Sequence, residues 1–314
     1  MSDVVAAIDC GTNSIRLLVA RVDGGRLVDL DRRMTVVRLG QGVDRTGMLA
    51  PAALERTFAA CQEYREVITQ FRASVLRFVA TSASRDAGNA AEFTAGVAQI
   101  LGVVPEVITG QEEARLSFTG ATRGLPHEKP VLVFDIGGGS TEFVLGDDDV
   151  RQSISVDMGC VRFFERYLGD DPPTRQQIAD LQGEVAQLLD RVKATVDVAS
   201  ARDVIGLAGT VTTVAALALG LATYDSEQIH GSRITTRDVR RVADELAGMP
   251  VARRRELGVM HPGRADVIVS GSLILAQILE RFGAQSLVAS EHDILDGLAW
   301  SLLDRVDQPR NANQ

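Results

Sequence analysis

A strand-turn-strand unit that occurs twice constrains this chain more than any other feature. The first copy reads AAIDCGTNSIRLLVA, Ala6 to Ala20, and the second VFDIGGGSTEFVLG, Val133 to Gly146. Laid over each other, Asp9 meets Asp135, Gly11 meets Gly137, Ser14 meets Ser140 and Arg16 meets Glu142. In both, an apolar run ends on aspartate, turns through small residues and resumes as an apolar run, which is the pattern of strand, tight turn and strand. Each copy then reaches a second turn, Asp23-Gly24-Gly25 or Gly146-Asp147-Asp148, and a third strand, Arg26 to Leu30 or Val150 to Val156. Each therefore opens an antiparallel meander. A meander at the head of each half predicts two related lobes, and 314 residues suit two domains.

Helix and strand alternate through the rest of each half. Pro51 to Ala73 is amphipathic with proline at its start, Val75 to Ala80 is a strand, Ala90 to Leu101 a helix, and Val104 to Ile108 a strand. Gln111 to Gly120 reads as a helix. In the second half Thr174 to Val198, Val211 to Leu221, Thr236 to Ala247, Ala265 to Phe282 and Ile294 to Val306 read as helices. Val204 to Leu207 and Leu287 to Ala289 read as strands. With a linker at Leu125 to Pro130, the expected domains are 1–125 and 126–314, the last helix packing back on the first lobe. A polar tail follows Asp307.

Composition bounds the partners. A net charge of -9 and 4% aromatic residues argue against a nucleic-acid or membrane-surface binder, and a polyanionic ligand would need a local basic site. Cys10, Cys61 and Cys160 are odd in number and far apart, which suits a reducing cytoplasm better than a disulfide framework or zinc site. No stretch approaches the length and apolarity of a membrane span. Homodimerisation is expected only as the common outcome for soluble enzymes.

The two small-residue turns carry the chemistry. Gly11, Thr12, Asn13 and Ser14, and Gly137, Gly138, Gly139, Ser140 and Thr141, would present backbone N–H groups to an anion without side-chain obstruction. Three glycines in a row are hard to explain inside a sheet, where glycine packs nothing. Asp9 and Asp135 each end an apolar strand, and with Glu142 they could hold one hydrated Mg2+ through oxygen. GQEEAR, Gly110 to Arg115, places Glu112 and Glu113 in a helical first turn, where dipole compensation is the plainer explanation. GLAGTVTTVAALALG, Gly206 to Gly220, runs from a strand through Gly209 and Thr210 into an apolar helix. Its N-terminus suits an anion, and close packing of small residues suits the same pattern. Arg16, Arg85, Arg162 and Arg264 are the basic candidates, while Arg253-Arg254-Arg255 reads as a solvated helix face. The histidines show no metal spacing, and Cys160 reads as a small buried residue.

The repeated turn resembles the phosphate loops of the actin, sugar-kinase and Hsp70 superfamily. More narrowly, AIDCGTNSIRLLVA, ATSASRDAGN, ITGQEEARL, FDIGGGSTEF, MGCVRF, GLAGTVTTVAAL, HGSRIT and GRADVIVSGSLIL resemble the exopolyphosphatase and guanosine pentaphosphate phosphatase (Ppx/GppA) family, over roughly Ala6 to Gly297. That resemblance implies two ribonuclease H-like, actin-like ATPase lobes of mixed five-stranded sheets flanked by helices, with the active site in the cleft between them. It implies a Mg2+-dependent phosphoric anhydride hydrolase acting on inorganic polyphosphate or on pppGpp. Asp9 to Arg16 and Asp135 to Glu142 would be its phosphate loops, and Asp135 and Glu142 would help hold the metal. Glu113, or failing it Glu112, would be the catalytic base. Arg85 would grip the phosphate chain, and Gly209 and Thr210 would touch distal phosphates or nucleotide. Against that family the chain is expected to be a short, two-lobe form without the added C-terminal helical domains of longer members, and Leu295 stands where the family usually has arginine. A sugar or acetate kinase of the same superfold, or a non-catalytic polyphosphate or alarmone sensor, are the competing classes.

Overall fold

A computed structural model describes residues 4–23 and 26–306 of the chain. Gly24 and Gly25 of the first expected turn, and the polar tail, lie outside the described residues. The first meander is β1 (Val4–Cys10), β2 (Ser14–Asp23) and β3 (Arg26–Val36), paired antiparallel in sequence order. After α1 (Val43–Thr46) and α2 (Pro51–Gln70), β4 (Val75–Ala80) returns parallel to β1. Then come α3 (Ser82–Asp86), α4 (Ala90–Leu101) and a short β5 (Glu106–Val107) parallel to β4. The sheet order is β3-β2-β1-β4-β5.

The second half begins with α5 (Gly110–Thr122) and repeats the meander as β6 (Val131–Ile136), β7 (Thr141–Gly146) and β8 (Val150–Val156). Next are α6 (Cys160–Tyr167), α7 (Arg175–Thr195), β9 (Asp203–Leu207), α8 (Ala208–Ala218), α9 (Ser226–Ile229) and β10 (Arg233–Thr235). The chain continues through α10 (Thr236–Gly248), α11 (Val251–Arg255), α12 (Ile268–Phe282), β11 (Ser286–Ala289) and α13 (Ile294–Val306). Here the order is β10-β11-β9-β6-β7-β8. The two mixed sheets with flanking helices are the expected fold class. The second has six strands rather than five, because β10 adds antiparallel to β11. Three residues, Arg233–Thr235, are too few to show a period in the sequence.

Two compact units result, Met1–Thr109 with Ile294–Gln314, and Gly110–Asp293. The boundary thus falls before α5 and not at the expected Leu125 to Pro130, which is a connection inside the second unit. Side-chain alternation explains it. On β6, Leu132, Phe134 and Ile136 enter a core that includes Leu181 and Leu189 of α7 and Leu273 of α12. Val131 and Val133 face the other way and pack with Val144 of β7 and with Ala114, Phe118 and Ala121 of α5. Among the described residues α5, with Leu125 just after it, packs on that face, so burial of apolar surface ties it to the second sheet. α13 does the same for the first sheet, packing on β1, β2 and β4. Ala6, Ile8 and Cys10 of β1 meanwhile enter a core with residues of α2 and α4. Arg32 of β3 donates to both oxygens of buried Asp296 on α13, at 2.5 and 3.3 Å, and Arg77 of β4 donates to Ser301 at 3.1 Å.

Among the described residues no helix is long and apolar enough to cross a membrane. The three cysteines are free and buried. Burial pushes the Cys61 thiol up to about 12 and the Cys160 thiol up to about 11, and raises Cys10 well above the usual thiol range. A thiol-specific reagent at pH 8 should therefore label none of them in the folded protein and all three after denaturation. Asp296→Ala leaves the Arg32 guanidinium without its buried acceptor, and should cost about 2–3 kcal/mol by chemical denaturation, Arg32 being partly exposed.

Candidate functional site

Both turns close with the same hydrogen bond. Gly11 N–H donates to the Ser14 carbonyl at 3.0 Å, and Gly137 N–H to the Ser140 carbonyl at 3.0 Å. The chain leaving the third strand of each meander then engages the remaining turn carbonyls. In the first unit Val37 and Arg38 N–H donate to Asn13 O at 3.1 and 2.8 Å, and Gly40 N–H to Thr12 O at 2.9 Å. In the second, Cys160 N–H donates to Gly137 O at 2.9 Å, while Val161 and Arg162 N–H reach Gly138 O at 2.9 and 3.0 Å. Arg162 Nε–H takes Gly139 O at 2.7 Å. These donors include the first N–H groups of α6, which a helix start leaves without intrahelical partners. With every carbonyl from Gly137 to Ser140 held by the protein, amide N–H groups are what the second turn offers to an anion.

Glycines outside the turns permit this approach. A Cβ on Gly159 would lie 2.3 Å from Gly138 O, and one on Gly40 would lie 2.3 Å from Thr12 Cγ2. Neither glycine stood out in the sequence, although MGCVRF contains Gly159. Arg38 holds a left-handed backbone, φ 51°, to aim its N–H at the first turn. The turn hydroxyls work inward. Thr12 Oγ1 bonds Ser82 Oγ at 2.9 Å, and Thr141 Oγ1 donates to the Met158 carbonyl. Both threonines and Ser140 are buried. The hydroxyls of Thr12 and Thr141 are thus engaged within the protein.

Register makes the difference between the two turns chemical. Asp9 is the cross-strand partner of Arg16, and Asp135 of Glu142. Arg16 donates through Nε and Nη2 to Asp9 Oδ2, at 3.0 and 2.6 Å, so this acid already holds a cation of the protein. Asp135 and Glu142 are instead like charges on one face of the sheet, 8% and 2% exposed. Placing two carboxylates opposite each other is unfavourable unless a positive group lies between them. Among the described residues no three of His, Cys, Asp and Glu gather closely enough to hold a metal by themselves. Asp9 belongs to the first unit, and Asp135 and Glu142 to the second. The second unit's pair suits Mg2+, which commonly takes one or two carboxylates and completes its shell with water and phosphate.

The α5 helix brings its acid to the same face. Gly110 begins α5 where a Cβ would lie 2.5 Å from Ser155 Cβ of β8, and Ser155 donates to Glu142 Oε1 at 2.7 Å. Four residues after Glu113, Ser117 donates to Asp135 Oδ2 at 3.2 Å. Residues four apart share a helix face, so Glu113 points with Ser117 towards the sheet and is buried, whereas Glu112 is half-buried. Neither serine drew attention in the sequence, and no local pattern would have found them.

The other predicted residues are placed more loosely. Arg85 is exposed at the end of α3 and donates from Nη1 to Ile108 O at 2.9 Å. Ala208, φ 67°, opens α8, and the Arg264 guanidinium lies on Gly209, where a Cβ would come within 2.0 Å of Nη2. Arg264 also donates to Thr213 Oγ1 at 2.9 Å. Thr210 is buried against Gly271, so Gly209 and Arg264 remain the more accessible members of this group.

A profile of the Ppx/GppA phosphatase family matches residues 18–306. Over 312 residues the chain is 48% identical to Exopolyphosphatase 2 of Mycobacterium tuberculosis, covering 95% of this chain and 98% of that protein. A crystal structure described as an exopolyphosphatase-like protein aligns with a TM-score of 0.92 at 44% identity, covering 96% of this chain and 99% of that one. A Ppx/GppA family member from Aquifex aeolicus aligns with a TM-score of 0.82 at 32% identity, covering 99% and 100%. With sequence and fold in agreement over nearly its whole length, the chain belongs to the Ppx/GppA phosphatase family.

Proposed function

We propose that the protein is an exopolyphosphatase that releases terminal orthophosphate from inorganic polyphosphate. The observation that carries this reading is the outward set of N–H groups left when every carbonyl from Gly137 to Ser140 is held by the protein, beside the paired acids Asp135 and Glu142. A phosphoryl group bears its charge on several oxygens, and fixed N–H donors match it without reorganising. The relatives named exopolyphosphatase support polyphosphate as substrate.

Asp135 and Glu142 would hold Mg2+, whose charge would draw electron density from the phosphate oxygens. Glu113, sheet-facing in the first turn of α5, takes a proton from water as the water oxygen bonds to the terminal phosphorus. The bridging P–O bond breaks, orthophosphate leaves, and the chain shortens by one unit. The helix N-terminus favours the ionised carboxylate that a base requires. Within the first unit Asp9 fixes the direction of the Arg16 guanidinium, a positive group of the kind phosphate oxygens attract. Guanosine pentaphosphate presents the same terminal group and is the alternative substrate.

Glu113→Gln should lower kcat on polyphosphate by about 10²–10⁴-fold with little change in KM, measured as phosphate release with Mg2+. Undiminished release would remove Glu113 from the mechanism, and binding without release by the wild-type protein would make it a sensor. Running short and long polyphosphate, guanosine pentaphosphate and ATP side by side decides the substrate. Gly159→Ala drives a methyl group into the Gly138 carbonyl and displaces the turn, so turnover should fall by about 10²-fold while the far-ultraviolet spectrum stays unchanged.

A further inference from the structure

We propose that Ser117 and Ser155 are positioning residues that set Asp135, Glu142 and the Glu113-bearing helix in the arrangement the divalent cation needs. The proposal rests on the reaction proposed above and on the two carboxylates as the metal's ligands.

Ser117 lies inside α5, 1% exposed, between Leu116 and Phe118 and one turn from Ala114 and Ala121. A hydroxyl buried in such a place is costly unless it is hydrogen-bonded, and serine within a helix ordinarily bonds the carbonyl four residues back. Ser117 instead donates across 18 positions of sequence to Asp135 Oδ2. Alanine would satisfy packing alone here, as it does at positions 114 and 121 of the same helix. An ionised carboxylate only accepts, so the serine proton points to the acid.

Ser155 acts from the other side. It is the cross-strand partner of Glu142, and its hydroxyl donates to Oε1 of that residue at 2.7 Å. Its Cβ also stands against Gly110, the first residue of α5. One side chain therefore touches both the acid and the start of the helix that carries Glu113. Ser117 ties α5 to β6 by a hydrogen bond, which fixes the rotation of the helix, and Ser155 of β8 bonds β7 while packing against the first residue of α5, which sets the distance of the helix from the sheet. Rotating a carboxylate off its metal-facing direction would weaken the cation and leave the phosphate turn untouched. The signature of this role is a change in metal affinity without a change in substrate affinity.

The test compares Ser117→Ala, Ser155→Ala, Ser117→Thr and the wild-type protein. Mn2+ binding is followed by electron paramagnetic resonance without substrate, phosphate release from polyphosphate across a Mg2+ titration, and thermal melting. Each alanine variant should weaken Mn2+ binding and raise the half-saturating Mg2+ concentration by about tenfold, as expected for loss of a hydrogen bond to a charged group. KM for polyphosphate should stay within about twofold, and Ser117→Thr, which keeps the hydroxyl, should restore metal affinity. Wild-type metal affinity in both alanine variants would overturn the proposal while leaving the exopolyphosphatase reading standing. A wild-type protein that neither binds Mn2+ nor releases phosphate would overturn both.

Discussion

The site depends on a set of backbone hydrogen bonds that run from the exit of each meander to the carbonyls of its first turn. A tight turn carries N–H and C=O groups in equal number, and an anion is repelled by the carbonyls as it is attracted by the amides. Cys160, Val161 and Arg162 remove the repulsive half in the second turn, and Val37, Arg38 and Gly40 take the Thr12 and Asn13 carbonyls in the first. The same bonds satisfy the start of α6, so one arrangement meets two needs of the backbone. Gly40 and Gly159 are required because the donor chain passes too close to the turn for any side chain.

Duplication gives each unit this frame, and single residues then give each a separate task. The cross-strand position after the turn is Arg16 in the first copy and Glu142 in the second. Opposite aspartate, arginine makes a neutral pair that directs a guanidinium, whereas glutamate makes a doubly acidic pair, the one proposed to hold a cation. The backbone geometry can be conserved between copies while the local charge reverses, because the strand register and not the side chain sets where position 16 or 142 points.

Much of the architecture was legible. The two meanders, β4 over Val75–Ala80, α4 over Ala90–Leu101 and α13 over Ile294–Val306 stand as their periodicity predicts. Periodicity reports which side of an element is apolar, and that is a local property. It misled over the domain boundary, because the prolines near Leu125 to Pro130 mark a turn, and a turn need not separate domains. Whether α5 continues the first unit or begins the second depends on which sheet has an uncovered face for Ala114, Phe118 and Ala121. The partner of each turn acid was equally out of reach of a local pattern. Asp9 and Asp135 occupy equivalent positions, yet Arg16 holds the first of them.

The sequence by itself determined the repeated strand-turn-strand unit, the acids that end its strands, the glutamates opening α5, and through their combination the family. These are patterns of neighbouring residues, and neighbours in sequence carry them. Only the tertiary structure decided that α5 covers the second sheet and α13 the first. Only it decided that Arg16 belongs to Asp9, and that Ser117 and Ser155 belong to Asp135 and Glu142. Hydrogen bonds between groups on different strands and helices depend on strand register and on the closeness of helix to sheet, and burial of the whole apolar surface fixes both.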